Sequence, residues 1–318
     1  MDRRNERNGI IITVNDQYAS QFKGGKSRNI PVRRPIRPPL ETSVREAARQ
    51  LLNSLRFTAR DEALLNTLLG VGLLSQQQIR TLFFAPANNR TTNYRLKQLY
   101  DSHLLNFTAS LMPRMAEAGM KPCYLYTLGP VGEEILAIRR GVSRSALGLS
   151  DRYDLHRGNP LLMHDLQVSQ IYVQAKVAAR SHNGVVVWGN EQAAAVRNQT
   201  GQELVRPDGL LDLTIGRQNQ TFFVELDRGS SHWPDKLNFY ETARRRGEWQ
   251  SAVHGDTFPT ILSVVADHFL TRARRAAQYS HAPIRFLFKP WSAFLAEPFL
   301  TGWRLGGAER LVNLFPEE

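Results

Sequence analysis

Apolar residues between positions 42 and 141 recur first at the spacing of an amphipathic helix and then at that of paired strands. Ser43, three residues before Glu46, predicts the start of a first helix. The elements predicted after it are helices over 58–69, 76–84 and 90–103, strands over 104–111 and 123–128, and a closing helix over 130–140. Three short helices followed by a two-stranded hairpin are typical of a winged helix-turn-helix.

The predicted helix over 90–103 carries polar side chains opposite its apolar stripe, and such side chains suit base edges and phosphates. We expect DNA contacts on this helix from Arg90, Thr91, Tyr94, Arg95 and Gln98. The tip of the hairpin adds Arg114 and Lys121, which we expect to contact the DNA backbone. A three-helix unit can also be a plain protein-interaction module, and that alternative stays open.

From residue 161 onward the pattern alternates strands with helices. The predicted helices cover 161–179, 235–250 and 268–279, and the predicted strands cover 185–188, 203–215, 221–227, 258–266 and 284–288. Residues 216–220 give a hairpin signal between two of these strands. This alternation after a hairpin predicts an α/β domain with a mixed sheet.

Composition suggests four segments along the chain. Residues 1–41 are rich in arginine and lysine around several prolines, which predicts a disordered basic tail. Whether that tail is an arm along nucleic acid or a solvated linker stays open. The remaining segments are a winged-helix domain over 42–141, a linker over 142–160 and the α/β domain over 161–318.

The net charge of +12 over 318 residues favours a polyanionic partner, since basic side chains on phosphates release condensed counterions. Cys123 is the only cysteine, so neither a disulfide framework nor a cysteine-based zinc site is expected within one chain. The sequence has no apolar run long enough to span a membrane, and its first residues lack a signal-peptide core. We therefore expect a cytoplasmic protein that binds double-stranded DNA and not a membrane.

Acidic residues fall at matching positions on two adjacent predicted strands. Because side chains alternate along a strand, Glu225 and Asp227 are expected on one face. Asp208 and Asp212 are likewise expected on a common face of the preceding strand. Such close carboxylates repel one another, and a divalent cation relieves the repulsion. The pattern predicts a Mg²⁺ or Mn²⁺ site that polarises a phosphodiester and activates water. The open alternative is a turn at Asp208 and a surface ion pair between Asp227 and Arg228.

A cation beside the phosphate would complete such a site, because it would offset charge that develops in the transition state. Lys236, nine residues past Asp227, is the first candidate, and Arg228 is the second. Glu191 is a further candidate ligand. Tyr240 is expected in the core, with a covalent nucleophile as the alternative. His164 is expected to be an ordinary polar residue of a helix.

Together the winged-helix pattern, the turn Pro207-Asp208-Gly209, the run of residues 225–229 (ELDRG), and Lys236 with Tyr240 resemble the replication-relaxation family of plasmid and mobile-element proteins. That family is related to relaxases with a restriction-endonuclease-like domain of the PD-(D/E)XK type. The resemblance covers about residues 60–288.

The resemblance implies that Asp208, Glu225 and Asp227 bind a divalent ion and that Lys236 assists at the phosphate. It further implies nicking or relaxing of an origin or transfer origin, alongside replication or conjugation proteins. In two respects the chain departs from the pattern. Asp227 stands where a PD-(D/E)XK enzyme has lysine, and it is shorter than the glutamate expected in relaxase-like members. A catalytically inactive initiator or transcriptional regulator on the same fold therefore stays open.

Overall fold

The computed structural model describes residues 40, 42–54, 56–85, 89–108, 112–147, 161–229, 232–251, 253, 256–278, 284–308 and 310–315. Nearly all of the predicted tail and most of the predicted linker lie outside these residues. The chain forms two compact units. Unit 1 contains the segments up to Leu69, Leu73–Gln77 and Ala87–Met163, and unit 2 contains Gly70–Gly72, Gln78–Pro86 and His164–Glu318.

The first half of the chain is mainly helical. Its helices are α1 (Val44–Leu52), α2 (Ala59–Val71), α3 (Gln76–Ile79), α4 (Asn89–Asp101), α5 (Met112–Glu117) and α6 (Pro130–Arg140), and α3 runs on into a π-helix over Arg80–Phe84. Its strands are β1 (Leu73–Ser75), β2 (Leu105–Thr108) and β3 (Leu125–Leu128), which form an antiparallel sheet in the order β1-β3-β2.

Local signals explain where the helices of unit 1 begin and end. The Ser43 hydroxyl accepts a hydrogen bond from the Glu46 backbone N–H at the start of α1, as predicted. Pro130 opens α6, and Gly141 closes it in the left-handed conformation. The expected two-stranded hairpin needs correction, because β1 adds a third strand and α5 lies between β2 and β3.

Unit 2 is built on a seven-stranded mixed sheet. Its strands are β4 (Val185–Asn190), β7 (Gly209–Ile215), β8 (Gln218–Asp227), β9 (Thr260–Val265), β10 (Phe286–Pro290), β11 (Trp303–Leu305) and β12 (Leu311–Val312). Their order across the sheet is β12-β11-β10-β9-β8-β7-β4. A separate pair consists of β5 (Val196–Arg197) and β6 (Glu203–Val205). The helices are α7 (Leu161–Ser181), α8 (Glu191–Ala194), α9 (Trp233–Arg246), α10 (Leu270–Gln278) and α11 (Trp291–Ala296).

The long strand predicted over 203–215 is two strands in the structure. Only β7 joins the large sheet, whereas β6 pairs with β5. Pro207 lies in the break, where it has no N–H to donate to a neighbouring strand. The hairpin after β7 is also tighter than predicted, since Ile215 pairs with Gln218 across a two-residue turn.

The parallel strands β8, β9 and β10 bring their ends to one edge of the sheet. Asp227, Val265 and Pro290 are register partners at those ends. The core on one side of the sheet includes Phe223, Trp233 and Tyr240, so the first turns of α9 are held against the end of β8. In the described part of the chain, no helix is long and apolar enough to cross a bilayer.

Candidate functional site

Asp208 and Glu225 meet where β7 begins beside the end of β8. Gly209 pairs with Val224, and the Asp208 backbone N–H donates to the Val224 carbonyl at 2.9 Å, so Asp208 lies opposite Glu225. The Asp208 carboxylate also accepts a hydrogen bond from the Leu226 backbone N–H at 2.7 Å. Two carboxylates from adjacent strands therefore face one another, as the parity of the sequence predicts.

The Glu225 side chain is 2% exposed and has both oxygens engaged. The Lys236 ammonium donates to Oε2 at 2.5 Å, and the Tyr240 hydroxyl donates to Oε1 at 2.5 Å. Both partners come from α9, one helical turn apart, which is the spacing that puts two side chains on one helix face. Glu225 is thus oriented by two fixed donors.

Asp208, Glu225, Lys236 and Tyr240 form a cluster, here called the Asp208 cluster, in which Lys236 lies 2.5 Å from Glu225. Burial raises the pKa of Glu225 and the Asp208 carboxylate raises it further, while Lys236 opposes both effects. Burial would lower the pKa of Lys236, but Glu225 and Asp208 outweigh that effect and raise it. Burial and the charge of Glu225 also raise the pKa of Tyr240 well above its ordinary value. Lys236 is therefore a persistent cation, and Tyr240 a neutral donor.

Asp227 has a different environment from Glu225, although both lie on β8. It is 1% exposed; its Oδ1 accepts from the Gly229 backbone N–H at 2.8 Å, and its Oδ2 accepts from the Trp233 indole at 2.7 Å. Gly229 has φ +97°, and an added Cβ would collide with the ring of Phe269. Asp227 thus holds the beginning of α9, which carries Lys236, and the structure does not place it as an open ligand.

The other predicted acidic and basic residues lie around this cluster or apart from it. Asp212 shares the face of Asp208 but pairs with Thr221, whose hydroxyl donates to it at 2.6 Å, so it lies well along the strand from Glu225. Glu191 begins α8 directly after Asn190, the register partner of Gly209. Arg228 is exposed just past β8.

His164 on α7 lies beside Asp208, a contact that the sequence does not predict. Its Nε2 lies 3.4 Å from Asp208 Oδ1, and its Nδ1 lies 3.6 Å from Asp165 Oδ1. Burial alone would lower the pKa of His164, but the two carboxylates raise it to about 10. The helical pattern gave no signal for this contact, because His164 precedes Asp208 by more than forty residues.

A cleft of about 490 Å³ opens beside Glu225. It lies between β6 and the first turns of α9, and its lining includes Arg206, Lys236 and Phe239. The site is therefore reachable from solvent, although Glu225 is buried. Sites for small ligands commonly have volumes in this range, with a few polar groups at defined positions.

The carboxylates fit a divalent ion only if the substrate supplies further oxygens. Among the described residues, no three His, Cys, Asp or Glu side chains are grouped so that they could hold a metal. Asp208 and Glu225 together offer two carboxylates, and Mg²⁺ in phosphoryl-transfer sites usually takes one or two along with substrate phosphates. The donor set would therefore suit an ion shared with a phosphodiester only if Glu225 gives up a hydrogen bond from Lys236 or Tyr240.

On α4 of unit 1, the predicted DNA-contacting side chains divide into two groups. Arg90, Thr91 and Tyr94 are exposed, with Tyr94 at 65%. Arg95 instead forms an ion pair with the buried Asp61 and donates to Gln98 at 3.0 Å, so these two side chains are engaged in contacts within unit 1. Arg114 and Lys121, between β2 and β3, are exposed.

Comparison with known proteins identifies one family. The model of the replication-relaxation family matches residues 65–261, which include α4 and every member of the Asp208 cluster. Neither a curated protein nor a solved structure matches the chain.

Proposed function

Because the chain belongs to the replication-relaxation family, with the role in plasmid or mobile-element replication that this membership supports, we propose that it nicks DNA in a metal-dependent way. Its DNA is double-stranded and contains a plasmid origin or a transfer origin. Unit 1 locates the DNA, and unit 2 carries out the cleavage. The observation that carries the proposal is the cluster of Asp208, Glu225 and Lys236 at the edge of the unit 2 sheet.

Asp208 and Glu225 would hold Mg²⁺ or Mn²⁺ together with oxygens of a phosphodiester. When bound, such an ion polarises the phosphodiester and lowers the pKa of water. Lys236 keeps a positive charge beside the carboxylates, where it offsets the charge that develops on the phosphate in the transition state. Tyr240 fixes the orientation of Glu225, and Asp227 fixes the helix that carries Lys236.

The mixed sheet supports a nuclease-like fold of the PD-(D/E)XK type for unit 2. Pro207-Asp208 precedes β7, and Glu225 lies opposite Asp208 on β8, so the two acidic positions of the motif are adjacent. The lysine comes from α9 instead of the position of Asp227. The contact between Lys236 and Glu225 supports the proposal, because it brings a lysine to the carboxylate from a neighbouring helix.

The arrangement of unit 1 supports a winged helix as the DNA-locating part. Helix α4, with exposed Arg90, Thr91 and Tyr94, precedes strands β2 and β3 of a small antiparallel sheet. The connection between these two strands carries exposed Arg114 and Lys121. Helices of this kind contact base edges in the major groove, and basic residues of the sheet contact the backbone.

The test is to incubate supercoiled origin plasmid with the protein in Mn²⁺, Mg²⁺ or EDTA. We expect open circles with the metal ions, none in EDTA, and none with Glu225→Gln. If the wild-type protein binds the plasmid but does not nick it with either metal ion, the proposed nicking activity is refuted.

A second candidate is a DNA-binding initiator or regulator that does not cut. It is favoured by one observation: both oxygens of Glu225 already accept hydrogen bonds, from Lys236 and Tyr240. The same plasmid assay separates the two functions, because the non-cutting protein retains DNA binding and gives no open circles with any metal ion.

A further inference from the structure

Phe239 is an exposed aromatic side chain in the wall of the cleft beside Glu225. It is 51% exposed, although large aromatic side chains usually bury most of their surface. It lies three residues after Lys236 on α9, so the two side chains are neighbours on one helix face, with about 5–6 Å between their Cβ atoms. The cleft therefore combines a cation with an open aromatic ring.

The charges that line the cleft do not suit a long stretch of DNA backbone. Each acidic side chain lies beside a basic one: Arg206 is 2.6 Å from Glu203, His232 is 3.0 Å from Asp235, and Lys236 is 2.5 Å from Glu225. A surface that follows many phosphates carries an excess of positive charge instead. The cleft is suited to a compact ligand with one anionic group and one flat apolar group.

We propose, on the premise of the function above, that this cleft receives one unpaired nucleotide of the DNA. Its base stacks on Phe239, and its phosphate lies at Lys236 and the carboxylates. In a paired duplex both faces of a base are covered by neighbouring bases, so only an unpaired base can offer a face to the ring. The preferred substrate is therefore DNA that is locally melted or distorted at the cutting position.

Stacking on an aromatic side chain tolerates every base, because each base has a π face. The proposal thus predicts a preference for an unpaired base without a preference for its identity. By alanine substitution such stacking contributes enough to change affinity by about tenfold.

The experiment compares two duplexes that differ by one base. One duplex carries a single bulged nucleotide, and the other carries an abasic residue at the same bulge, so the phosphate is kept and the base is removed. Binding is measured by fluorescence anisotropy in EDTA, where no metal-dependent cutting interferes. We expect the wild-type protein to bind the base-bearing bulge about tenfold more tightly than the abasic bulge.

Substitutions at Phe239 identify the side chain that causes this preference. Phe239→Leu keeps an apolar side chain and is expected to lose the preference, whereas Phe239→Trp is expected to keep it. Leu311→Ala is the matched control, because Leu311 is 56% exposed on β12 of the same unit and lies outside the cleft. Equal affinity of the wild-type protein for the two duplexes, or an undiminished preference in Phe239→Leu, would overturn the proposal.

Failure of this inference can be told apart from failure of the proposed function. If the plasmid is nicked in Mn²⁺ but the base preference is absent, the proposed nuclease activity is supported and the proposed nucleotide site is refuted. If the base preference depends on Phe239 but no metal ion supports nicking, the nucleotide site is supported and the nuclease activity is refuted.

Discussion

Glu225 shows how one buried residue links the fold to the chemistry. A carboxylate at 2% exposure is costly without partners, and here Lys236 and Tyr240 supply them. Removing one partner of a buried ion pair destabilises a protein more than replacing both, because the remaining charge is left unpaired. The cluster therefore contributes to stability as well as to the proposed function.

Lys236→Met is expected to lower the free energy of unfolding by about 3 kcal/mol, because it leaves Glu225 buried without its cation. The double variant Glu225→Gln/Lys236→Met should cost less than the sum of the two single variants. Urea unfolding measures all three. Asp235→Asn is the control: Asp235 is 68% exposed on the same helix, and its loss should change stability by about 0.5 kcal/mol or less. Additive single effects would contradict a coupled pair.

Asp61 gives unit 1 a defined acid sensitivity. Burial raises the pKa of Asp61, but hydrogen bonds from Arg95 and Thr58 outweigh burial and lower it below the ordinary value. The ionised form is thus stabilised by folding, so its contribution is present above about pH 4 and is lost as the pH falls through the lowered pKa. Urea unfolding from about pH 6 to about pH 3 should show this loss. An Asp61→Asn variant with the same acid dependence would contradict it.

Among the elements, those with strong local signals are the ones that the sequence predicts accurately. It predicts helix α6 over its observed bounds, because Pro130 and Gly141 mark its two ends. It does not predict strand β1, since three buried residues carry no measurable periodicity. It does not predict helix α5, because the proline and glycine residues around that helix indicate a loop.

The alternation of side chains along a strand predicts only part of the candidate site. Parity placed Asp208 and Glu225 on one face, but it does not say which residues are opposite each other. Register decides that, and it pairs Asp212 with Thr221. The contact of His164 with Asp208 depends on how α7 packs on the sheet, which no local pattern specifies.

Helix α4 should divide into a DNA-binding face and a structural face. Arg90→Ala is expected to weaken DNA binding and to reduce the slope of log affinity against log salt by about 1, the value for one lost phosphate contact. Arg95→Ala should instead lower the free energy of unfolding, because it leaves the buried charge of Asp61 without its cation. Arg49→Ala on α1 removes the same charge from an exposed position and is the control. A reduced salt slope in Arg95→Ala without loss of stability would contradict this division.

At the scale of the whole molecule, the net charge of +12 is carried partly by exposed side chains in each unit. Arg90 and Lys121 are exposed in unit 1, while Arg245 and Arg272 are exposed on the helices of unit 2. Both units therefore have basic groups for phosphates, whereas the paired carboxylates of the candidate site are in unit 2. In the proposed function, unit 1 locates the DNA and unit 2 cleaves it.

Substitutions of two aspartates on one strand face test most directly the proposal that unit 2 cleaves DNA. Asp208 lies opposite Glu225, and Asp212 lies four residues further along, bonded to Thr221. The measurement is the rate of Mn²⁺-dependent nicking of supercoiled origin plasmid by Asp208→Asn and Asp212→Asn at equal DNA occupancy. We expect loss of nicking in Asp208→Asn and a rate near that of the wild type in Asp212→Asn. Undiminished nicking by Asp208→Asn would contradict the proposal.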